Sequence, residues 1–476
     1  VPLLVFIAER PPGPGGRWSA TRAGVLTGVV YYGVQLYWLV PALAPRSGLA
    51  VPAFLLSVAM LAGFTGAFAW AVHRTWERTG LPLVVLAPIF WTALEWGLAQ
   101  LGPIAYPWLG LGYALAPFPR LAGAADLAGV RGLTFWIAAV NGLLAMVVLR
   151  HRSRGATAIG RPPSGAFQRG GPLIAGGLLL VLVPTAYGLW RAATLDLLPA
   201  ARVGVVQPNI GQDARRDHGM ALDSAMVMLS RLTGTLASHD VDLVAWPEVT
   251  LTTELPGDGS VLAAAREISA AVGAPVVAGA WGHGGEAGSP LFNSAFLLTG
   301  AAAIPEDRYD KRMLVPFVER VPFVQPGRLS GEPNRFRYFG GLARGRTGPV
   351  FSAAGPAGRF GILICYESAF PDLARQYRRD GADYLVNITN DAWFGGAPGH
   401  APTTALWQHP AHMTMRAIEN RVGVARAANT GFSMFIDPIG RTRNATALSV
   451  ADARSDTVLT TGVVTLFTRW GDWLAT

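Results

Sequence analysis

Two hydrophobic rhythms divide the chain. Through the first 200 residues the apolar positions run together, at 24–44, 51–72, 81–100, 124–149 and 172–190, each about the twenty residues that a helix needs to cross a bilayer. These runs predict five membrane spans. From residue 201 the runs shorten, and strand-like segments at 202–207, 242–245, 275–278, 292–298, 360–365 and 384–388 alternate with helical stretches near 219–237, 258–272, 371–380 and 402–421. That order predicts an α/β domain rather than a repeat protein. Residues 151–171, rich in Arg, Gly, Pro and Ser, read as a connecting loop, and so does the glycine-rich 279–288.

Composition sharpens the division. The 476 residues are 51% hydrophobic and only 14% charged, against about 25% charged in an ordinary globular domain. The formal charge of +9 would suggest nucleic acid, but its distribution argues otherwise. Residues 1–200 carry 14 Arg against 5 acids, whereas residues 201–476 are balanced at 25 of each sign. The excess therefore sits in the loops between spans, where it sets orientation. Arg10, Arg17 and Arg22, then Arg74 and Arg78, then the cluster from Arg150 to Arg169 alternate with loops holding only Arg46 or Arg120. This pattern puts the N-terminus inside and everything after Trp190 on the outer side, the periplasm in a bacterium. Tyr31, Tyr32, Tyr37 and Trp38, with Tyr106, Trp108 and Tyr113, read as interfacial belts. Glu95, near the outer end of its span, reads either as an interfacial acid or as a functional group facing the bundle.

The chain has one cysteine, Cys365, and one lysine, Lys311, beside 38 arginines. A single thiol excludes a disulfide framework, and the histidines show no metal-ligand spacing. Three segments each place a reactive side chain after a β-like run: Leu243-Val-Ala-Trp-Pro-Glu248, Tyr309-Asp-Lys-Arg-Met-Leu-Val-Pro-Phe-Val-Glu319 and Gly361-Ile-Leu-Ile-Cys-Tyr-Glu367. A thiol acts as a nucleophile once its proton is removed, so a base and a positive charge belong beside it. Glu248 suits the base and Lys311 the oxyanion donor. Taken singly, each has a plainer reading: Cys365 as a small buried hydrophobe, Lys311 as a chance survivor of an Arg-rich composition, Glu248 as a helix-start acid.

These segments, with Gln207-Pro-Asn-Ile, Cys365-Tyr-Glu-x-x-Phe-Pro, Asn387-Ile-Thr-Asn-Asp-Ala-Trp-Phe-Gly, Arg416-Ala-Ile-Glu-Asn, Asn429-Thr-Gly-Phe and the outer-loop Pro107-Trp-Leu-Gly-Leu-Gly-Tyr, make the chain resemble the apolipoprotein N-acyltransferases, the membrane-bound branch of the nitrilase superfamily. The resemblance implies a multi-span helical membrane bundle over residues 1–192, an αββα sandwich over 193–456, and a segment 457–476 leading to a last span. It implies Glu248 as base, Lys311 in oxyanion stabilisation and Cys365 as nucleophile, with Glu319, Glu367 and Tyr366 in support. Trp246, Trp393, Phe394 and Asn390 are expected to contact substrate or form a lid. The implied reaction takes an acyl group from a phospholipid, phosphatidylethanolamine, through a Cys365 thioester to the α-amine of a diacylglyceryl-cysteine lipoprotein, in the bacterial inner membrane. No cofactor or nucleic acid is implied, and the chain is expected to be a monomer.

Two departures stand out. Val318-Glu319-Arg320 replaces the family's Gly-Glu-Tyr, and Arg216 stands where a lid tryptophan is expected. Against the family's usual eight spans, the first, most of the second and the last are expected to be missing. A membrane-tethered amidohydrolase using water as acceptor, and a non-enzymatic membrane protein, remain as alternative readings of the sequence.

Overall fold

The computed structural model describes residues 1–44, 48–153, 170–211, 218–284, 289–300, 307–324, 341–352, 357–395 and 401–475. Arg216 lies outside them. The chain forms two compact units: Val1–Gln100 with Pro107–Ala193 and Asp472–Thr476, and Leu101–Tyr106 with Thr194–Gly471.

The first unit is helical: α1 (Pro2–Ala8), α2 (Pro14–Leu36), α3 (Leu39–Leu43), α4 (Ala50–Thr79), α5 (Leu83–Ala99), α6 (Ala125–Ser153) and α7 (Gly170–Thr194). By length and composition, Ala50–Thr79, Leu121–Arg152 and Ala175–Thr194 can cross a membrane, and Leu83–Ala99 is a shorter apolar helix. The first expected span differs. Instead of a helix over 24–44, α2 starts at Pro14 and the helix is interrupted near Tyr37. α2 starts after Gly13 with Pro14 at its first position and packs closely on α4. Gly24 and Gly28 lie one turn apart against α4, where a Cβ on Gly24 would stand 2.6 Å from the Ala69 Cβ and one on Gly28 2.6 Å from the Ala62 Cα. Small residues at this spacing let two backbones touch, the usual device for pairing helices in lipid. On α7, Leu178, Leu179, Leu182 and Val183 are exposed, an arrangement that water penalises and lipid does not.

Glu95 resolves as a fastener. Its carboxylate accepts from Trp91 Nε1 (2.8 Å), Leu111 N (2.8 Å) and Thr134 Oγ1 (2.7 Å), so it ties the loop after α5 to α6. A buried acid with three donors is satisfied in place.

The second unit is an αββα sandwich. Its strands are β1 (Leu198–Gln207), β2 (Leu243–Ala245), β3 (Leu251–Leu255), β4 (Val276–His283), β5 (Leu291–Leu298), β6 (Asp307–Asp310), β7 (Phe351–Ser352), β8 (Arg359–Ile364), β9 (Tyr384–Thr389), β10 (Gly423–Ala428), β11 (Met434–Ile436), β12 (Thr442–Arg443) and β13 (Asp452–Thr460). One sheet runs β13-β1-β2-β4-β5-β6 with β3 beside β4, the other β12-β11-β10-β9-β8-β7. The central strands β1, β2 and β4, and β8, β9 and β10, are parallel. Helices α8 (His218–Gly234) and α9 (Gly259–Val272) follow strands of the first sheet, and α10 (Pro371–Arg379) and α11 (Ala405–Asn420) follow strands of the second. A short α12 (Leu466–Trp470) completes the unit.

Alternation along the strands builds three cores. Val203 and Val205 of β1, Phe360, Ile362 and Ile364 of β8, and Tyr384, Val386 and Ile388 of β9 share the layer between the sheets. Val206 packs with Leu229 and Leu236 of the α8 region, while Leu363 and Leu385 pack with Met413 and Ala417 of α11. Two expectations need correcting. Gly279–His283 is strand, not loop, because β4 pairs with β5 as far as His283. The sandwich also continues past residue 456, since β13 pairs with β1 as far as Thr460.

Candidate active site

Glu248, Lys311 and Cys365 each follow the carboxyl end of a strand, after β2, β6 and β8, where open α/β sheets present side chains. The structure brings the first two into direct contact. Lys311 Nζ donates to Glu248 Oε1 at 3.0 Å and to Glu319 Oε1 at 2.8 Å, and the ammonium is buried. Burial alone would lower the Lys311 pKa, but the carboxylates of Glu248 and Glu319 outweigh it and hold the group well above the usual lysine range. Glu248 is the complement. Burial works to raise it, yet the Lys311 charge and hydrogen bonds from Lys311, Asn293 and the Asn390 main chain keep it below the ordinary carboxylate value. Lys311 is thus a charged ammonium clamped between the carboxyl groups of Glu248 and Glu319.

Gly279 of β4 makes room for this. A Cβ there would meet the Pro247 carbonyl oxygen at 2.3 Å and the Glu248 Cα at 2.8 Å, so only glycine lets β4 run directly under the Glu248 loop.

Cys365 is partly exposed and occupies a left-handed conformation, φ +51°. Non-glycine residues seldom adopt it, and it recurs where function requires a strained turn. The expected strand 360–365 therefore stops one residue early, and Cys365 opens the short helical turn Cys365–Ala369. Burial pushes its thiol upward, Glu248 adds to this, and Lys311 works against it. The resting group is a neutral thiol within electrostatic range of Glu248 and Lys311.

Glu367 fixes the turn from within. It accepts from Ile364 N (2.8 Å), Arg312 N (2.6 Å), Met313 N (3.1 Å) and Tyr309 OH (2.7 Å), which ties the Cys365 turn to the Lys311 segment. Burial drives its carboxyl upward against those four donors. Tyr366 OH donates to the Ala105 carbonyl at 2.8 Å, and its ring lies 6.3 Å from that of Tyr106. A cavity of about 200 Å³ opens beside these residues, walled by Leu314, Pro316 and Phe370 with Arg320 and Arg344 among its lining.

The expected lid residues divide. Trp246 is fully buried in the core between the first sheet and its helices, its Nε1 donating to Thr233 Oγ1 at 3.0 Å, so it packs that core. Phe394 is buried with its edge against the His409 ring. The Asn390 main chain donates to Glu248 Oε2 at 3.0 Å and its side chain accepts from Asn429 Nδ2 at 3.0 Å. Trp393 is half-buried. Sequence reading missed Asn293, whose Nδ2 reaches Glu248 Oε1 (2.7 Å) and Glu319 Oε1 (3.0 Å) from β5. Its only local signal is that Asn293 and Ser294 are the polar pair in an otherwise apolar strand, Leu291–Leu298. Gln207 proves structural: Nε2 donates to the Ala447 and Val450 carbonyls, and Oε1 accepts from Ser433 and Thr446. Among the described residues no three His, Cys, Asp or Glu side chains converge to hold a metal ion.

The αββα sandwich defines a nitrilase-like, carbon-nitrogen hydrolase domain, and residues 202–461 match the family model described as carbon-nitrogen hydrolase. Residues 1–143 match the apolipoprotein N-acyltransferase N-terminal domain. The chain belongs to the apolipoprotein N-acyltransferase family. It is 33% identical to the apolipoprotein N-acyltransferase of Geobacter metallireducens over 100% of this chain and 87% of that protein. It is 30% identical to that of a Nostoc species over 99% and 90%. Among solved structures, a Saccharomyces cerevisiae member of branch 10 of the nitrilase superfamily aligns at 17% identity and a TM-score of 0.42, covering 59% of this chain and 97% of that one.

Proposed function

We propose that this chain is a phospholipid:apolipoprotein N-acyltransferase working through a Cys365 thioester. In the first half-reaction the Cys365 sulfur attacks the ester carbonyl of a phospholipid, phosphatidylethanolamine in the simplest case, while Glu248 takes the thiol proton. Lys311 has three N–H bonds and two carboxylate partners, so one donor is left for the oxyanion. The ester C–O bond breaks and the proton held by Glu248 passes to the departing lysophospholipid. In the second half-reaction the α-amine of a diacylglyceryl-cysteine attacks the thioester and Glu248 takes a proton from the amine. The C–S bond breaks, and that proton restores the thiol. Glu319 and Asn293 hold the Lys311–Glu248 pair, Glu367 and Tyr366 hold the Cys365 turn, and Asn390, Trp393 and Phe394 shape the wall near it.

One observation carries this reading: the likeness to the Geobacter protein runs through the apolar helices as well as the sandwich, over 100% of the chain. Both substrates are lipid-anchored, which gives lipid-facing helices a purpose in such an enzyme. The alternation of Arg-rich loops supports placement in the inner membrane with the catalytic domain in the periplasm. Incubation with phosphatidylethanolamine followed by mass spectrometry is expected to show an acyl adduct on Cys365. That adduct should discharge onto a diacylglyceryl-cysteine peptide. Rapid loss to free fatty acid without the peptide would instead identify a hydrolase, and absence of any adduct would end the thioester mechanism.

A further inference from the structure

The strained Cys365 turn has a support that the chemistry above does not use. His409 lies on α11, wholly buried, with Nε2 3.0 Å from the Cys365 carbonyl oxygen and Nδ1 2.8 Å from Asp391 Oδ1. The Cys365 carbonyl can only accept, so Nε2 carries the proton that it receives, while Nδ1 lies between Asp391 and Arg426, whose Nη2 is 3.3 Å away. Asp391 is held in turn: Arg426 Nη2 donates to its Oδ2 at 2.7 Å and Thr389 Oγ1 to its Oδ1 at 3.0 Å, and Arg426 also contacts Asn387. Burial works to raise the Asp391 pKa, but Arg426 and His409 outweigh it and keep the carboxylate ionised. About two turns further along α11, Arg416 Nη1 approaches the Ser368 carbonyl at 3.3 Å while pairing with Glu419. The helix thus grips the turn at both of its ends.

The trans peptide is planar, so its C=O and the following N–H point in opposite directions. A carbonyl of Cys365 anchored on α11 therefore sends the Tyr366 N–H away from α11. We propose that His409 is a positioning residue for acyl transfer: braced by Asp391 and Arg426, it fixes the Cys365–Tyr366 peptide so that the thiol and the Tyr366 N–H face the same acyl carbonyl. This rests on Cys365 being the nucleophile. The N–H after a nucleophile on a sharp strand-to-helix turn is well placed to share the oxyanion, here alongside Lys311.

The full-length protein in detergent with phosphatidylethanolamine provides the test, read as the single-turnover rate of Cys365 acylation and, separately, as Cys365 alkylation by iodoacetamide, a reaction that develops no oxyanion. The parent must first form the acyl adduct; if it does not, the thioester reading fails, and that failure is visible before any variant is compared. His409→Leu, close in size but without donors, is expected to acylate about a hundredfold more slowly, with the phospholipid concentration for half-maximal rate little changed and alkylation within a few-fold of parent. His409→Gln keeps one donor long enough to reach the carbonyl and is expected to recover most of the lost rate, while the shorter His409→Asn is not. If His409→Leu fails to accumulate, the Gln and Asn variants decide between them. Equal rates for those two, or alkylation falling in step with acylation, would reduce His409 to a packing residue and overturn the proposal.

Discussion

Lys311 is the residue on which the site's charge balance turns. It is buried against two carboxylates, and breaking such a cluster leaves an uncompensated buried charge. Lys311→Ala is expected to lose about a hundred- to a thousandfold in acylation rate, the usual effect of removing one oxyanion donor. Lys311→Arg should be nearly as defective, because a planar guanidinium cannot replace a compact ammonium between Glu248 and Glu319. Acyl labelling of Cys365 in a single turnover measures both, and parent-like labelling by the Arg variant would make Lys311 a bystander. The pH dependence has a definite sign. Glu248 lies below its ordinary value, so the base function proposed for it is present at neutral pH and fails only as pH falls beneath the normal carboxylate range. Lys311 lies above its ordinary value, so its charge is lost only above the normal lysine range. Acylation by the parent should therefore be flat from about pH 6 to 9, and Glu248→Gln should be slower by about a hundredfold or more throughout that window. A rate that climbs through pH 8 with thiol ionisation would contradict Glu248 as the base.

Elements show which signals the sequence exposes. The strand at 202–207 is legible because its alternate residues face two different cores, and α9 and α10 because capping and amphipathic spacing agree: Asp258 caps α9 at Val261 N, and Pro371 opens α10. β10 was not legible. Gly423–Ala428 is buried along its whole length and carries Arg426, a residue that reads as surface until Asp391 and Asn387 are found beside it. The same limit explains the site. Glu248, Lys311 and Cys365 announce themselves by type and neighbours, whereas Asn293 and His409 acquire meaning only when β5 and α11 are folded against residues far away in sequence. Trp246, expected at the site from the resemblance, lies with Val244 in the core between the first sheet and its helices. Gly279 offers the sharpest test at this scale. Gly279→Ala should destabilise the sandwich by about 1–3 kcal/mol as an overpacked site. It should also slow acylation beyond what thermal unfolding explains, because the displaced groups are Pro247 and Glu248. Normal activity at the lowered stability would mean that the Glu248 loop does not depend on this close approach.

At the scale of the whole molecule, orientation is the property most open to direct test. A reporter fused after residue 195 that is active only outside the cytoplasm is expected, and activity inside would reverse the proposed topology. The sandwich itself has a temporal property. β13 pairs with β1 in antiparallel register from Gln207↔Asp452 to Leu198↔Thr460, so the first and last long strands of the domain are neighbours. Until β13 arrives, the side of β1 away from β2 is an unpaired strand edge, open to wrong partners, and its closure joins segments at opposite ends of the domain's sequence, a slow kind of contact to form. Acylation competence thus has to wait for β13, since a nascent chain lacking it already carries Glu248, Lys311 and Cys365 but not the strand that closes their scaffold. Chains stopped before Asp452 should show no Cys365 acylation, which would keep a half-made enzyme from attacking the lipid around it.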